Sequence, residues 1–409
     1  AEDWSKRGED ELFNNSSFEG ALQAYNKAVD LDPTNATLWL HKAQVHEFMG
    51  DRNLAVGAYE EALNITNENL QKNPDDADAW WTMGVILDSL GRQVEAKESR
   101  ERAAQVYNKT LAGNPEDGES WFKLAEVLLS LNREDEAIDA YERSIETNSS
   151  KAGVAASTVS NLFANAGRYE EALKASEMAL NLTSPDDIRN RKLALWTKGS
   201  ILMMAERPEE ALQAFDEALR LDPEDKMTLM SRADALSDLH RYNESIEAYQ
   251  KVIEQAANDS SNWITNALIG MGDALNATGR RDEALDAYRS LLEVKEMEIE
   301  KNPEDSMAWE SKGRALLKMG QYEEAIEAFK RSIEVSPGPY AISSASGDAW
   351  VGRGDALMAL GRYEDATEAY RQAIGVVPLN GDAWHGKGEA LHALGKRIEG
   401  DGAFQMAKK

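Results

Sequence analysis

The sequence contains no cysteine, which excludes disulfide bonds, thiolate metal sites and a cysteine nucleophile. Basic residues are few: 45 lysines and arginines stand against 73 aspartates and glutamates, so the formal net charge is −28. This charge disfavours nucleic-acid backbones and anionic lipid surfaces as partners, because both would be repelled. Long apolar runs are absent too. The longest uncharged run, 152–167, is interrupted by serines and asparagines and would not cross a bilayer.

Catalytic and metal-binding motifs are also missing. None of the patterns H-E-x-x-H, G-x-S-x-G or the Walker loop occurs, so we predict no enzyme, no cofactor and no metal site. His385 and His392 lie seven residues apart, but no third ligand has a matching spacing. The acidic segments 114–119 and 302–305 lack the alternation of a calcium loop, and we predict that their carboxylates lie at helix N-termini.

What the sequence does contain is a repeated helical hairpin, seen most clearly in residues 347–378. Trp350 and Gly354 lie on one stripe of a first helix, which Gly361 ends because glycine adopts the left-handed conformation without a Cβ penalty. A second amphipathic helix follows and ends before Pro378. Such a hairpin cannot bury its own apolar face, so it must pack against another copy.

Eleven copies are found when the residue that opens each first helix is set in register, and we number each hairpin so that this residue is position 4. Position 8 is small (glycine, alanine or serine) in every copy, which favours close helix packing, and the two G-x-G triplets at 352–354 and 386–388 therefore read as packing positions. The register residues are Trp4, Trp39, Trp80, Trp121, Ala156, Leu195, Leu229, Leu268, Trp309, Trp350 and Trp384.

This pattern resembles the tetratricopeptide repeat family, whose signature W-x2-L-G-x2-Y, followed by A-x3-F and P, recurs along the whole chain. The resemblance implies an all-α fold, a right-handed superhelical solenoid of about eleven hairpins, and a protein-interaction function. We predict one continuous solenoid over 1–409, with units near 1–35, 36–76, 77–117, 118–152, 153–191, 192–225, 226–264, 265–305, 306–346, 347–380 and 381–409.

Repeat length varies, and this variation has two expected consequences. Three copies with a period near 41 should have longer second helices, through 62–72, 103–111 and 291–301, adding roughly 10 Å each at 1.5 Å per residue. The insert 336–347, SPGPYAISSASG, should instead be a loop, because its prolines, glycines and serines disfavour helix.

Members of the family that bind a C-terminal carboxylate use lysine, arginine and asparagine on the inner face of their first helices. At positions 5 and 9 of this chain only Asn161 and Arg314 fit such a role. The resemblance therefore does not imply a binder of acidic C-terminal tails. A groove for a basic or an apolar segment of a partner protein stays open.

The short motif N-x-[ST] is over-represented, and it is the acceptor sequence for N-glycosylation. Helix capping by asparagine is the alternative explanation. We favour glycosylation of a secreted or cell-surface protein whose signal peptide has been removed, since the chain starts at Ala1 without methionine. The ten asparagines are Asn14, Asn15, Asn35, Asn64, Asn108, Asn148, Asn181, Asn243, Asn258 and Asn276.

Both end hairpins keep apolar residues where a polar capping face is usual in repeat proteins. Trp4 and Leu12 lie in the first hairpin, and Phe404 and Met406 in the last. Our preferred hypothesis is an extracellular, N-glycosylated structural protein that self-associates head to tail through these residues into a filament. The alternative is a monomeric surface scaffold that binds a partner protein or peptide in its concave groove.

Overall fold

The structure is a computed structural model that describes residues 1–13, 17–147, 149–256, 261–336 and 344–407. The described residues form 22 α-helices joined by short turns. They divide into two compact units, residues 1–201 and 202–409, and each unit is described by itself.

The first unit contains ten complete helices and most of an eleventh. These are α1 (Glu2–Phe13), α2 (Phe18–Leu31), α3 (Ala36–Phe48), α4 (Arg52–Lys72), α5 (Ala77–Ser89), α6 (Gln93–Gly113), α7 (Gly118–Ser130), α8 (Glu134–Glu146), α9 (Ala152–Asn165), α10 (Tyr169–Leu182) and α11 (Ile188–Met204). The second unit continues with α12 (Pro208–Leu221), α13 (Lys226–Asp238), α14 (Tyr242–Gln255), α15 (Ser261–Ala277), α16 (Arg281–Lys301), α17 (Ser306–Lys318), α18 (Tyr322–Val335), α19 (Ser344–Ala359), α20 (Tyr363–Val376), α21 (Gly381–Ala393) and α22 (Arg397–Ala407).

Consecutive helices pack in pairs, as the repeat predicts. Five hairpins, α1/α2 to α9/α10, lie in the first unit and five, α13/α14 to α21/α22, in the second. With α11 and α12, the chain order contains the eleven predicted pairs, so the all-α hairpin repeat is confirmed. Within each unit the second helix of a hairpin also packs against the first helix of the next. A single continuous solenoid over the whole chain stays a prediction.

The tryptophan at position 4 has a second role besides filling space. Its indole Nε1 donates a hydrogen bond to the carbonyl oxygen of the proline six residues earlier, at 2.8 Å for Trp384 and Pro378. The same bond joins Trp39 to Pro33, Trp80 to Pro74, Trp121 to Pro115 and Trp309 to Pro303. This bond ties the start of these five first helices to the preceding turn.

The first helices are capped by short polar side chains, as the predicted N-terminal carboxylates require. Asp117 accepts from the amide of Ser120 at 3.1 Å, and Asp305 accepts from the amides of Met307 and Ala308 at 3.0 Å. These bonds satisfy amide groups that have no partner within the helix. The acidic segments 114–119 and 302–305 are therefore helix caps in this fold.

The aromatic residue at position 24 connects adjacent hairpins. The Tyr370 ring, which is 1% exposed, lies between Gly354 of its own hairpin and Gly386 of the next. A Cβ atom at these two glycines would lie 2.6 Å and 2.5 Å from the ring. The G-x-G triplets are thus packing positions, as predicted, because any side chain there would displace the aromatic ring.

Helix length follows the repeat period in the three predicted copies. Helices α4, α6 and α16 have 21 residues each, whereas α18 and α20 have 14. The predicted loop at 336–347 is wrong in part: α19 begins at Ser344, so the last four residues of the insert are helical. Serine and glycine have lower helix propensity than alanine, but here they extend an amphipathic helix whose apolar face is already buried. Residues 337–343 of this insert lie outside the described residues.

Candidate functional site

A groove in the second unit is the strongest candidate for a functional site. It lies on the first helices α15, α17, α19 and α21 and has a volume of about 550 Å³. Glu310, Arg314, Asp348, Asp355 and Asp382 line it, and we call these five residues and the space between them the acidic groove. Position 9 contributes Arg314 and Asp355.

Tyrosine hydroxyls hold the aspartates of position 9 in place. Tyr370 donates to Asp355 at 2.6 Å, across a sequence separation of 15 residues. The same bond, with the same separation, joins Tyr249 to Asp234 and Tyr288 to Asp273. Each tyrosine ring is buried, so the carboxylate gives its hydroxyl a partner inside the protein. Burial, with the neighbouring carboxylate adding to it, raises the pKa of these tyrosines far above its ordinary value.

Opposite charges meet on the α15 and α17 side of the groove. The Lys318 ammonium contacts both carboxylate oxygens of Asp273, at 2.8 and 2.9 Å. Arg314 Nε lies 3.7 Å from Glu310 Oε1, and the Glu310 side chain is only 13% exposed. This side of the groove therefore contains two acid–base pairs and is close to neutral.

Carboxylates dominate the α19 and α21 side. Asp355 reaches solvent, but the surrounding protein atoms reduce its hydration and raise its pKa. Repulsion from Asp382 and Glu389 raises this pKa further, whereas the hydrogen bond from Tyr370 lowers it. Burial also raises the pKa of Asp348, as does Asp382, while Arg314 lowers it. Asp382 therefore repels both Asp348 and Asp355, and the charges of Arg314 and Lys318 offset part of this repulsion.

Position 5 is apolar in three first helices of the first unit. Position 5 carries Leu40, Trp81 and Phe122 in α3, α5 and α7. Leu40 and Phe122 are 7% and 8% exposed, and the Phe122 ring packs edge-on against Tyr141 with centroids 5.5 Å apart. The Arg100 guanidinium lies 5.8 Å from the Trp81 ring. These side chains are mostly covered by their own unit.

The predicted glycosylation sites are surface positions where the structure describes them. Asn64, Asn108, Asn181, Asn243 and Asn276 are exposed, all within helices. Asn35 is half-buried and caps α3, accepting from the Thr37 amide at 3.1 Å. The remaining four lie outside the described residues: Asn14, Asn15, Asn148 and Asn258.

Several sequon hydroxyls already have structural roles. Thr66 donates to the Ala62 carbonyl at 2.7 Å, and Ser245 donates to the Ala233 carbonyl at 2.9 Å. Both hydroxyls are buried, although the asparagines two residues before them are exposed. The asparagines are therefore open to solvent, while the hydroxyls of their sequons belong to the helix packing.

The predicted end-to-end residues are half-buried inside their own hairpins. The Trp4 ring is covered by the Lys27 ammonium, 4.3 Å from the centroid, and Leu12 packs against the cluster that contains Tyr25. Phe404 lies between the imidazoles of His385 and His392, each 5.1 Å away between centroids. Met406 is half-buried as well. The structure brings the two histidines together around an aromatic ring.

The charge of the groove was missed by the sequence analysis. The cations at positions 5 and 9 do not reveal it, but a second pattern does: an aspartate at position 9 is followed by a tyrosine 15 residues later. That spacing, in Asp234, Asp273 and Asp355, was the signal that could have revealed the acidic face.

The fold and the groove define a helical-repeat scaffold without an evident catalytic centre in the described residues. Family models described as tetratricopeptide repeat or TPR repeat match residues 10–50, 36–69, 96–152, 193–225, 226–297, 269–341 and 351–398. The chain therefore belongs to the tetratricopeptide repeat family, and such repeats form scaffolds for protein–protein interaction.

Solved structures of the same fold match at low identity. Yeast Tom70 is 14% identical with a TM-score of 0.47, over 99% of this chain and 91% of that chain. YrrB, described as a TPR protein with an unusual peptide-binding site, is 20% identical with a TM-score of 0.40, over 56% and 99%. A repeat protein from Parabacteroides merdae is 15% identical with a TM-score of 0.49, over 71% and 99%. No curated protein matches the chain.

Across the part of the chain that the structure describes, none of the helices has the length and apolarity needed to cross a membrane. The repeat fold is typically non-enzymatic, and the matching families describe repeats only.

Proposed function

We propose that the protein is a scaffold that binds a segment of a partner protein in the acidic groove, and that this segment carries lysine or arginine. One observation supports this most strongly: the α19 and α21 side of the groove holds Asp348, Asp355 and Asp382, and Asp382 repels the other two. A cationic side chain placed among them would relieve this repulsion and gain a charge-assisted hydrogen bond.

The shape of the groove agrees with a chain segment as the ligand. It crosses first helices of successive hairpins, so a bound segment would contact the same positions in each repeat. The tyrosine hydroxyls hold the aspartates of position 9 before any ligand binds, which reduces the ordering cost of binding. Net charge on the whole chain would steer a basic partner toward the protein at low ionic strength.

Binding of an amide-capped, lysine-rich peptide to the full chain, followed by fluorescence anisotropy, tests this proposal. Asp355→Asn with Asp382→Asn should weaken binding about thirtyfold, since two contacts of roughly 1 kcal/mol each are lost. The matched control is Glu323→Gln with Glu324→Gln, which removes the same charge from the exposed first turn of α18. Equal losses in both variants would show that general electrostatics, rather than the groove, controls binding.

A second proposal concerns location and modification: the protein is extracellular and N-glycosylated. It is supported by the excess of sequons and by the exposure of Asn64, Asn108, Asn181, Asn243 and Asn276. The mass of the protein purified from its native source should exceed the 45.3 kDa of the polypeptide and return to that value after glycan removal. A native mass equal to that of the bare chain contradicts this proposal.

The third proposal is end-to-end self-association into a filament. It is supported by the apolar side chains of the end hairpins: Trp4, Leu12, Phe404 and Met406. A second copy would contact only those parts of these side chains that their own hairpins leave exposed. Trp4→Glu with Phe404→Glu should then abolish large species in light scattering while the circular dichroism of the helices persists. Large species that persist in this variant would refute self-association through these residues.

A further inference from the structure

Arg314 departs from the charge pattern of the second unit. Position 9 carries aspartate in α13, α15 and α19, namely Asp234, Asp273 and Asp355, but arginine in α17. The substitution extends to position 24 of the same hairpin, where Phe329 replaces tyrosine and offers no hydroxyl. The α17/α18 hairpin thus has neither the carboxylate nor the hydroxyl that neighbouring hairpins pair.

The Arg314 guanidinium is available to a ligand. Its side chain is 43% exposed and lines the acidic groove. Its Nε lies 3.7 Å from Glu310 Oε1, which exceeds hydrogen-bond length, and its charge also acts on the Asp348 carboxylate. Guanidinium has five N–H donors in a planar fork that matches a carboxylate in a bidentate arrangement.

Lys318, the other cation of the groove, is already engaged. Its ammonium contacts both carboxylate oxygens of Asp273, so it has less to offer a ligand than Arg314. The groove therefore places one available cation, Arg314, beside a group of carboxylates that includes Asp348 and Asp355.

We propose that Arg314 is a specificity-determining residue that binds an acidic side chain within the basic segment of the partner. This inference rests on the proposed function and sharpens it: the partner segment carries a carboxylate opposite Arg314 and a cation opposite Asp355. A purely basic segment would place a like charge against Arg314, which disfavours that segment and sets the register of the correct one.

The test uses acetylated, amide-capped peptides of equal length, in which one glutamate is moved stepwise along an otherwise lysine–serine sequence. Wild-type protein should bind one glutamate position about fivefold tighter than the all-basic parent, as one charge-assisted bidentate contact permits. Arg314→Glu should reverse this preference, and Arg314→Gln should abolish it without reversal. Circular dichroism and the thermal midpoint confirm that both variants fold.

The outcomes separate the two proposals. If no basic peptide binds wild-type protein, the proposed groove function fails and this inference fails with it. If basic peptides bind but the glutamate position has no effect, or the preference persists in both Arg314 variants, this inference alone is refuted. A gain in affinity that occurs only with a free C-terminal carboxylate also refutes it, because the proposed contact is to an internal side chain.

Discussion

The first helices of the two units use the same positions for different purposes. In the first unit, position 5 places Leu40, Trp81 and Phe122 against their own repeats, where the side chains are mostly covered. In the second unit, positions 5 and 9 place Glu310 and Asp355 in an open groove. The same positions therefore contribute to core packing in α3 and α7 of the first unit and present charge in α17 and α19 of the second.

Titration behaviour follows the same division. Among the described residues of these faces, burial raises the pKa of one carboxylate in the first unit, Glu126. In the second unit it raises the pKa of four: Asp234, Glu310, Asp348 and Asp355. Carboxylates held in this way store repulsion that a cationic ligand would release. The groove proposed for binding therefore lies in the unit where more carboxylates have a raised pKa.

The largest expected effect is loss of packing in the first unit. Phe122→Ala should reduce the free energy of unfolding by about 3 kcal/mol, because a nearly buried ring leaves a cavity. Val351→Ala, at the same position in α19, should cost about 1 kcal/mol, since this side chain is half-buried in the groove. Urea unfolding with hydrogen exchange of α7 and α19 measures both. Equal costs would remove the proposed difference between the two faces.

An intermediate effect is expected for the hydroxyls at position 24. Tyr370→Phe removes a hydrogen bond to the Asp355 carboxylate and should cost about 2 kcal/mol, as expected for a bond to a charged group. Tyr141→Phe in the first unit should cost about 1 kcal/mol, because Glu126, the carboxylate 15 residues earlier, acts on Tyr141 through its charge and not, among the described residues, through a hydrogen bond like that of Asp355. Thermal unfolding of the two variants compares them, and a larger cost for Tyr141→Phe would contradict the distinction.

The smallest expected effect is the pH dependence of stability. The folded-state pKa of Asp355 is raised, so the folded protein holds this proton more tightly than the unfolded chain. Its stabilising contribution is complete below the ordinary pKa of about 3.9 and is lost as pH rises through the folded value. In Asp355→Asn the free energy of unfolding should fall less steeply as pH rises.

Urea midpoints measured at several pH values between about 4 and 7 check this expectation, since the pKa of an aspartate lies near the lower limit. The control is Glu323→Gln, an exposed residue of α18. If the urea midpoint falls with pH as steeply in Asp355→Asn as in the wild type, Asp355 does not contribute to the pH dependence of stability.

The repeat made much of the fold predictable. Tryptophan at position 4, small residues at position 8 and the helix-ending glycines are local signals, and each copy repeats them. The start of α19 was not predictable in the same way, because composition disfavoured helix at 344–347 while packing of the following apolar face extended it. The sequence revealed the charged residues of the groove but not their pairing, since a charge at one position does not tell whether an opposite charge lies near it in the fold.

By itself, the sequence determined the family, the eleven helix pairs and the long helices α4, α6 and α16, because these follow from periodicity and chain length. Only the tertiary structure decided which charges are compensated. Lys318 meets Asp273 across 45 residues and its charge also acts on Asp355. Arg314 acts on Asp348 while its side chain stays 43% exposed. The physical reason is that electrostatic energy depends on distance and hydration, which the packing of neighbouring hairpins sets.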